Sequence, residues 1–125
     1  MILDTNAISA LAEADPKLEQ TLATASRPAL PYIAHAEFRY GLLGSTRPEA
    51  GLQILERLQS ILPMLFPDME TLENYAQLKD QLKRKGRKIP DNDLWIAALA
   101  RQHDRPILSQ DHHFDYVPGI QRIGW

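Results

Sequence analysis

Apolar residues in this chain come in two rhythms: very short runs that stop at a proline, polar or acidic residue, and longer stretches recurring at helical spacing. Ile2-Leu3 is a minimal first strand ending at Asp4, and Thr5-Asn6 open a helix to roughly Leu11. Pro16 suits the first turn of a second helix, through Leu18 and Leu22 to about Ala25, before Arg27-Pro28-Ala29-Leu30-Pro31 breaks the pattern. Tyr32-Ile33 reads as the second strand, followed by helices over Ala34 to about Leu43 and about Pro48 to Leu62. Met64-Leu65-Phe66, between two prolines, reads as a third strand. Asp68 caps a helix carrying Leu72, Tyr75, Ala76, Leu78 and Leu82 until Gly86. The stretch Ile89 to Ala100 passes from polar caps into an almost wholly apolar, buried helix. Ile107-Leu108 and Gln121-Arg122-Ile123 complete the strands. Strands alternating with helices predict an α/β domain with a mainly parallel sheet.

Four acids, Asp4, Glu37, Asp93 and Asp111, follow such strand-like runs or occupy the start of the next helix. In an open parallel sheet the carboxyl ends of the strands share one edge, where ligands bind, so these side chains are expected to converge. Two like charges ~4 Å apart repel by ~1 kcal/mol in water and ~4 kcal/mol at an effective dielectric near 20, so a cluster needs a cation. Mg²⁺ or Mn²⁺, which prefer oxygen ligands, suit it. Each acid also has an ordinary explanation. Asp4 is a natural helix cap, Asp91 and Asp93 are both favoured by the helix dipole, and Asp111 and Asp115 fit a loop. Asp91 is assigned the plain capping role, because Asp93 runs directly into Leu94-Trp95-Ile96-Ala97-Ala98. Glu37 has Ala34 and Gly41 on its helical stripe, small residues that let other backbone come close.

A chain of 125 residues fits one domain, 1–125, burying roughly two-thirds of its unfolded surface. Without cysteine, disulfides, thiolate metal sites and a cysteine nucleophile are excluded. No apolar stretch approaches a membrane span, and Met1 leads into Ile2-Leu3-Asp4 without the basic start of a signal peptide, so a soluble cytoplasmic protein is expected. Net charge is only −2, but Lys79, Lys83, Arg84, Lys85, Arg87 and Lys88 form a strip interrupted by one acid, Asp80, that stops short of Asp93. Such a strip complements a helix dipole, and beside an acidic pocket it equally suits a phosphodiester substrate. His35, His103, His112 and His113 have no metal-binding i, i+4 spacing and are expected at the surface, the last two near the pocket rim. No serine-nucleophile motif or phosphate-cradling glycine loop is present.

Ile2-Leu3-Asp4-Thr5-Asn6, Ala36-Glu37-Phe38-Arg39-Tyr40-Gly41, Asn92-Asp93-Leu94-Trp95-Ile96-Ala97-Ala98 and Ile107-Leu108-Ser109-Gln110-Asp111, with Phe114 and Val117-Pro118-Gly119 following, resemble the PIN-domain ribonucleases. The resemblance is strongest to the VapC toxins of bacterial type II toxin–antitoxin modules and spans essentially the whole chain in order. It implies a three-layer α/β/α domain with four to five short strands, and an endoribonuclease whose metal ligands and catalytic acids are Asp4, Glu37, Asp93 and Asp111. Mg²⁺ or Mn²⁺ would activate the attacking water. Asp4 and Asp93 are the most direct ligands, Glu37 a ligand or water-positioning base, and Asp111 an outer member. Thr5, Asn6 and Ser109 are helpers to the carboxylates or the phosphate, with Lys83, Arg84 and Arg87 on the substrate side.

The same resemblance implies a VapB-like antitoxin lying over the pocket and a homodimer of the toxin. Leu42, Leu43, Leu52, Leu55, Leu58 and Ile61 offer apolar helix surface for either contact, or simply pack on the sheet. Two rivals differ in class. A catalytically inactive PIN-like module would hold RNA or ribosome without cutting, and a small phosphatase would need an Asp-x-Asp pair where Thr5-Asn6 stand.

Overall fold

Five two-residue strands make up the sheet of the computed structural model, which describes all of residues 1–125. They are β1 (Ile2–Leu3), β2 (Leu30–Pro31), β3 (Met64–Leu65), β4 (Ile107–Leu108) and β5 (Arg122–Ile123). Every pairing is parallel: β1 with β4, β4 with β5, and β2 with β3. A bridge between Ile2 and Ala29 joins the two groups, giving the order β3-β2-β1-β4-β5. Six helices connect and flank the strands: α1 (Thr5–Ala12), α2 (Pro16–Ala23), α3 (Tyr32–Leu43), α4 (Pro48–Ile61), α5 (Met69–Arg84) and α6 (Asp91–Gln102). A 3-10 turn, His112–Tyr116, follows β4. The α/β class and parallel sheet expected from the pattern are therefore observed.

The second strand differs from expectation. Tyr32-Ile33 is the first turn of α3, and the strand is Leu30–Pro31. Its position is set by neighbours: Leu30 N–H donates to Pro63 O at 3.0 Å, and Ala29 N–H to Met1 O at 2.8 Å. Pro31 has no N–H to extend the ladder, so the chain turns into helix there. The β-favouring character of Tyr-Ile yields to the register imposed by β3.

Strands β1, β2 and β4 are buried, and β3 and β5 at the edges are half-buried. Ile2, Leu3, Leu30, Ile107 and Leu108 have no accessible surface, and α6 adds Ile96, Ala97, Ala98 and Leu99, also fully enclosed. This explains why α6 is apolar on nearly every face. Helices α5 and α6 are stitched together by polar contacts. Asp68 and Thr71 form a reciprocal capping box, and Gln102 Nε2 donates to Asp68 at 2.8 Å while its carbonyl oxygen accepts from Thr71. Further along, the Arg101 guanidinium donates to Asn74 at 2.9 Å, and Tyr75 stacks on Trp95 with centroids 4.0 Å apart. Helix α6 is thereby held against α5 along its length. No helix is long and apolar enough to cross a membrane.

Of the apolar helix residues singled out from sequence, Leu55 and Leu58 belong to the core, whereas Leu43, Leu52 and Ile61 are exposed. Helices α3 and α4 approach closely at Gly51, where an added Cβ would meet Leu42 Cδ2 at 2.2 Å. Gly41 needs no such allowance, since nothing lies within 4 Å of an added Cβ. The small-residue border inferred for Glu37 therefore holds at Ala34, which is fully buried, and not at Gly41.

Candidate metal centre

Asp4 leaves the end of β1 and caps α1, so one carboxylate serves both a helix start and the sheet edge. Its Oδ1 accepts from Thr5 N–H at 2.7 Å and its Oδ2 from the Ser109 hydroxyl at 2.6 Å. The parallel register of β1 and β4 brings Ser109 there. Having given its only proton to Asp4, the Ser109 oxygen accepts from Asp111 N–H at 2.9 Å and Asn6 Nδ2 at 3.2 Å. Asn6 Oδ1 in turn accepts from Gln110 N–H at 3.3 Å. Asn6 and Ser109 thus tie the two strand ends together.

The other acids arrive on separate elements. Glu37 stands in α3, Asp93 in the first turn of α6, and Asp111 at the start of the 3-10 turn. Asp4 and Asp93 are buried, 4% and 9% exposed, which is rare for aspartates without a cationic partner. Glu37 Oε1 and Thr5 Oγ1 are buried and have no hydrogen-bond partner. An unmet carboxylate oxygen in this position asks for a cation or water.

The electrostatics agree. Burial pushes the Asp4 carboxyl up, with Asp111 adding repulsion, against the bonds from Ser109 and Thr5. Glu37 is pushed up by burial and by the nearby Asp4, while Thr5 and Asn92 pull the other way. Asp93 is raised furthest, to about 7, first by burial and then by the charges of Asp4 and Asp111. Asp111 moves down: burial opposes its charge, but the His113 backbone N–H and ring outweigh that, and Asp93 supplies a further bond. One acid ionised beside another that keeps its proton is what a tight pair does without a cation.

Asp93, Asp111 and His113 offer ligand atoms that lie within 4.8 Å of one another. His113 Nδ1 is 2.7 Å from Asp111 Oδ1, and its backbone N–H donates to the same oxygen at 2.9 Å. His113 is thus at the rim, as expected, yet turned inward to the carboxylates, which the sequence did not indicate. His112 points elsewhere, with Nδ1 2.9 Å from Asp115 Oδ2. Asp115 also accepts from Arg122 Nε at 2.8 Å, and Arg122 donates to Ser109 O at 3.0 Å, bracing the turn. The donor set of carboxylates and one imidazole, with an orphaned Glu37 oxygen beside it, fits a hard divalent ion.

Asp91 does not cap by its side chain. The cap position is Pro90, and the Asp91 carboxylate accepts from the Tyr75 hydroxyl, with Lys79 Nζ at 3.8 Å. It lines a groove of about 440 Å³ with Lys79, Lys83, Arg87, Lys88, Leu82, Ile89 and Leu94. Arg84, grouped with Lys83 and Arg87 from sequence, instead pairs with Asp80 at 3.0 Å and does not line the groove. Tyr116, which the sequence did not single out, packs against Arg87, whose guanidinium carbon is 4.3 Å from the ring centre.

The sequence profile of the PIN domain matches residues 1–120. Over 124 residues the chain is 32% identical to "Ribonuclease VapC5" of Mycobacterium tuberculosis, covering 98% of this chain and 90% of that protein. Its structure superposes on the DNA-bound VapBC of Salmonella typhimurium with a TM-score of 0.87 and 28% identity, covering 99% and 96% of the two chains. VapBC2 of Rickettsia felis, solved on a promoter DNA fragment, shares the fold at a TM-score of 0.90 and 24% identity, with 99% and 97% covered.

Proposed function

Because this chain belongs to the PIN-domain family, we propose that it is an endoribonuclease, a single domain over 1–125 that hydrolyses RNA phosphodiester bonds in the cytoplasm. The observation carrying this is the gathering of Asp4, Glu37, Asp93 and Asp111 from four separate elements, with buried carboxylates lacking a cation and Glu37 Oε1 unpartnered. These four acids would hold Mg²⁺ or Mn²⁺, with His113 at the open side. When bound, such an ion supplies positive charge to polarise a phosphate and to acidify water. The protein's own part is positional. Asp4 is fixed by Ser109 and Thr5, and Asp93 and Asp111 present oxygens at the rim. Glu37, held above the usual carboxylate range by burial and by Asp4, is suited to orient the attacking water and take its proton.

The same family membership supports action as the toxin of a VapBC-type module. Structural relatives are VapBC complexes, and a VapB-like antitoxin is the proposed partner here. The exposed Leu43 and Leu52, beside a cleft of about 270 Å³ between α3 and α4, offer apolar surface for antitoxin or for a second toxin copy in a homodimer.

The test is RNA cleavage by the purified protein, followed by sequencing of the new 5′ ends. Cleavage is expected with Mg²⁺ or Mn²⁺, abolished by chelator and by Asp4→Asn or Asp93→Asn. RNA binding without metal-dependent cleavage would replace the enzyme with a binding module.

A further inference from the structure

We propose that the basic groove between α5 and α6 is a binding site for single-stranded RNA, and that Arg87, pinned on Tyr116, is its anchor. The direction of the strand, from groove into carboxylate pocket, rests on the ribonuclease function proposed above.

Four cations, Lys79, Lys83, Arg87 and Lys88, line the groove against one acid, Asp91. That acid is paired with Lys79 and accepts from the Tyr75 hydroxyl, which leaves Lys83, Arg87 and Lys88 as the cations not offset within the groove. The floor is apolar, formed by Leu82, Ile89 and Leu94. Cationic walls over an apolar floor match a strand whose phosphates face outward while a base turns in. A duplex keeps its bases stacked and paired, and has none to offer. The volume, about 440 Å³, lies in the range of small-ligand clefts.

Arg87 is the residue that separates this site from a merely charged surface. Its guanidinium lies over the Tyr116 ring, which fixes the plane and leaves its N–H groups for a phosphate. Tyr116 ends the same 3-10 turn that begins after Asp111 and carries His113. On the opposite wall, Asp91 and Leu94 flank Asp93 in α6. The groove therefore borders the two elements, α6 and the 3-10 turn, that carry Asp93 and His113.

Binding is measured with the full chain in chelator, so that nothing is cut, by fluorescence anisotropy of a labelled single-stranded oligoribonucleotide. The same sequence as a duplex, and an oligoglutamate peptide, serve as competitors. Arg87→Ala is expected to weaken single-strand binding at least tenfold and to reduce the slope of log Kd against log salt by about 0.7. Tyr116→Ala and Arg87→Lys, which keeps the charge, should each weaken it several-fold, whereas Lys17→Ala on the distant α2 should not. Circular dichroism checks that each variant is folded.

Equal affinity for duplex, or equal losses in Arg87→Ala and Lys17→Ala, would overturn the site. So would displacement by oligoglutamate with single-strand binding intact in the variants, which marks a groove for an acidic peptide. Metal-dependent cleavage with unchanged KM in Arg87→Ala overturns the groove and leaves the ribonuclease standing. Selective single-strand binding without any cleavage does the reverse.

Discussion

The acidic centre has two unlike halves. On the strand side, the Ser109 hydroxyl donates to Asp4 and accepts from Asn6 Nδ2 and Asp111 N–H, leaving no donor or acceptor on it unused. On the helix side, Glu37 keeps a buried oxygen without a partner and Asp93 is pushed up to about 7 by burial and its acidic neighbours. The first half fixes Asp4 by hydrogen bonds even though burial raises it; the second lacks such bonds and calls for a proton or a metal. Preorganisation is thus concentrated where the ends of β1 and β4 meet and demand for a cation on α3 and α6, and substitutions in the two halves should fail in different ways.

The largest effect is expected from Asp93→Asn. It should lower RNA cleavage by on the order of a thousandfold, as loss of a major electrostatic group does. It should also raise the melting temperature of the metal-free protein at pH 8, because a repelling charge is gone, and abolish the further rise on adding Mn²⁺. A lower metal-free melting temperature would show that Asp93 is a structural acid and erase the contrast.

Next comes pH. Asp93 holds its proton in the folded state up to about 7 but releases it near 3.8 when unfolded, so its contribution to metal-free stability is full below 3.8 and lost as pH rises through about 7. Asp111 runs the opposite way, its stabilisation present above 3.8 and lost on acidification. Between pH 5 and 8 the metal-free protein should therefore lose stability, as read by denaturant titration. Affinity for Mn²⁺, measured by calorimetry, should rise over the same range and level off above it, with proton release at the lower end.

Ser109→Ala tests the strand-side half. It leaves Asp4 Oδ2, Asp111 N–H and Asn6 without their partner, and should cost about 1–3 kcal/mol of stability by chemical denaturation. Cleavage should fall less than in Asp93→Asn, since no proposed ligand is removed. The smallest effect belongs to His113→Ala, where a roughly tenfold weakening of Mn²⁺ binding with unchanged melting temperature would mark it as a rim ligand.

The sequence made the strand-side half more legible than the helix-side half. Strand-end acids and the Asp-Thr-Asn helix start announce Asp4, and the run Ile107-Leu108-Ser109 places Ser109 beside it once the sheet is parallel. The helix boundaries of α4 and α5 were also readable, because Pro48, Asp68 and Gly86 act locally. What escaped depends on geometry between elements. The direction of the His113 ring is set by the 3-10 turn, and the strand at Leu30–Pro31 by distant partners. Arg84 illustrates a local signal overlooked: Asp80 lies four residues earlier on the same helix face, where the two form an ion pair.

Each strand is two residues long, with Ile2 opposite Ile107 and Leu3 opposite Leu108. A ladder of two rungs has no slack: inserting or deleting one residue in β1 or β4 would exchange the two buried faces, upset the packing on both, and part Asp4 from Ser109 in the same stroke. Indels at the sheet should therefore abolish folding and catalysis together, whereas this chain should tolerate them in its loops.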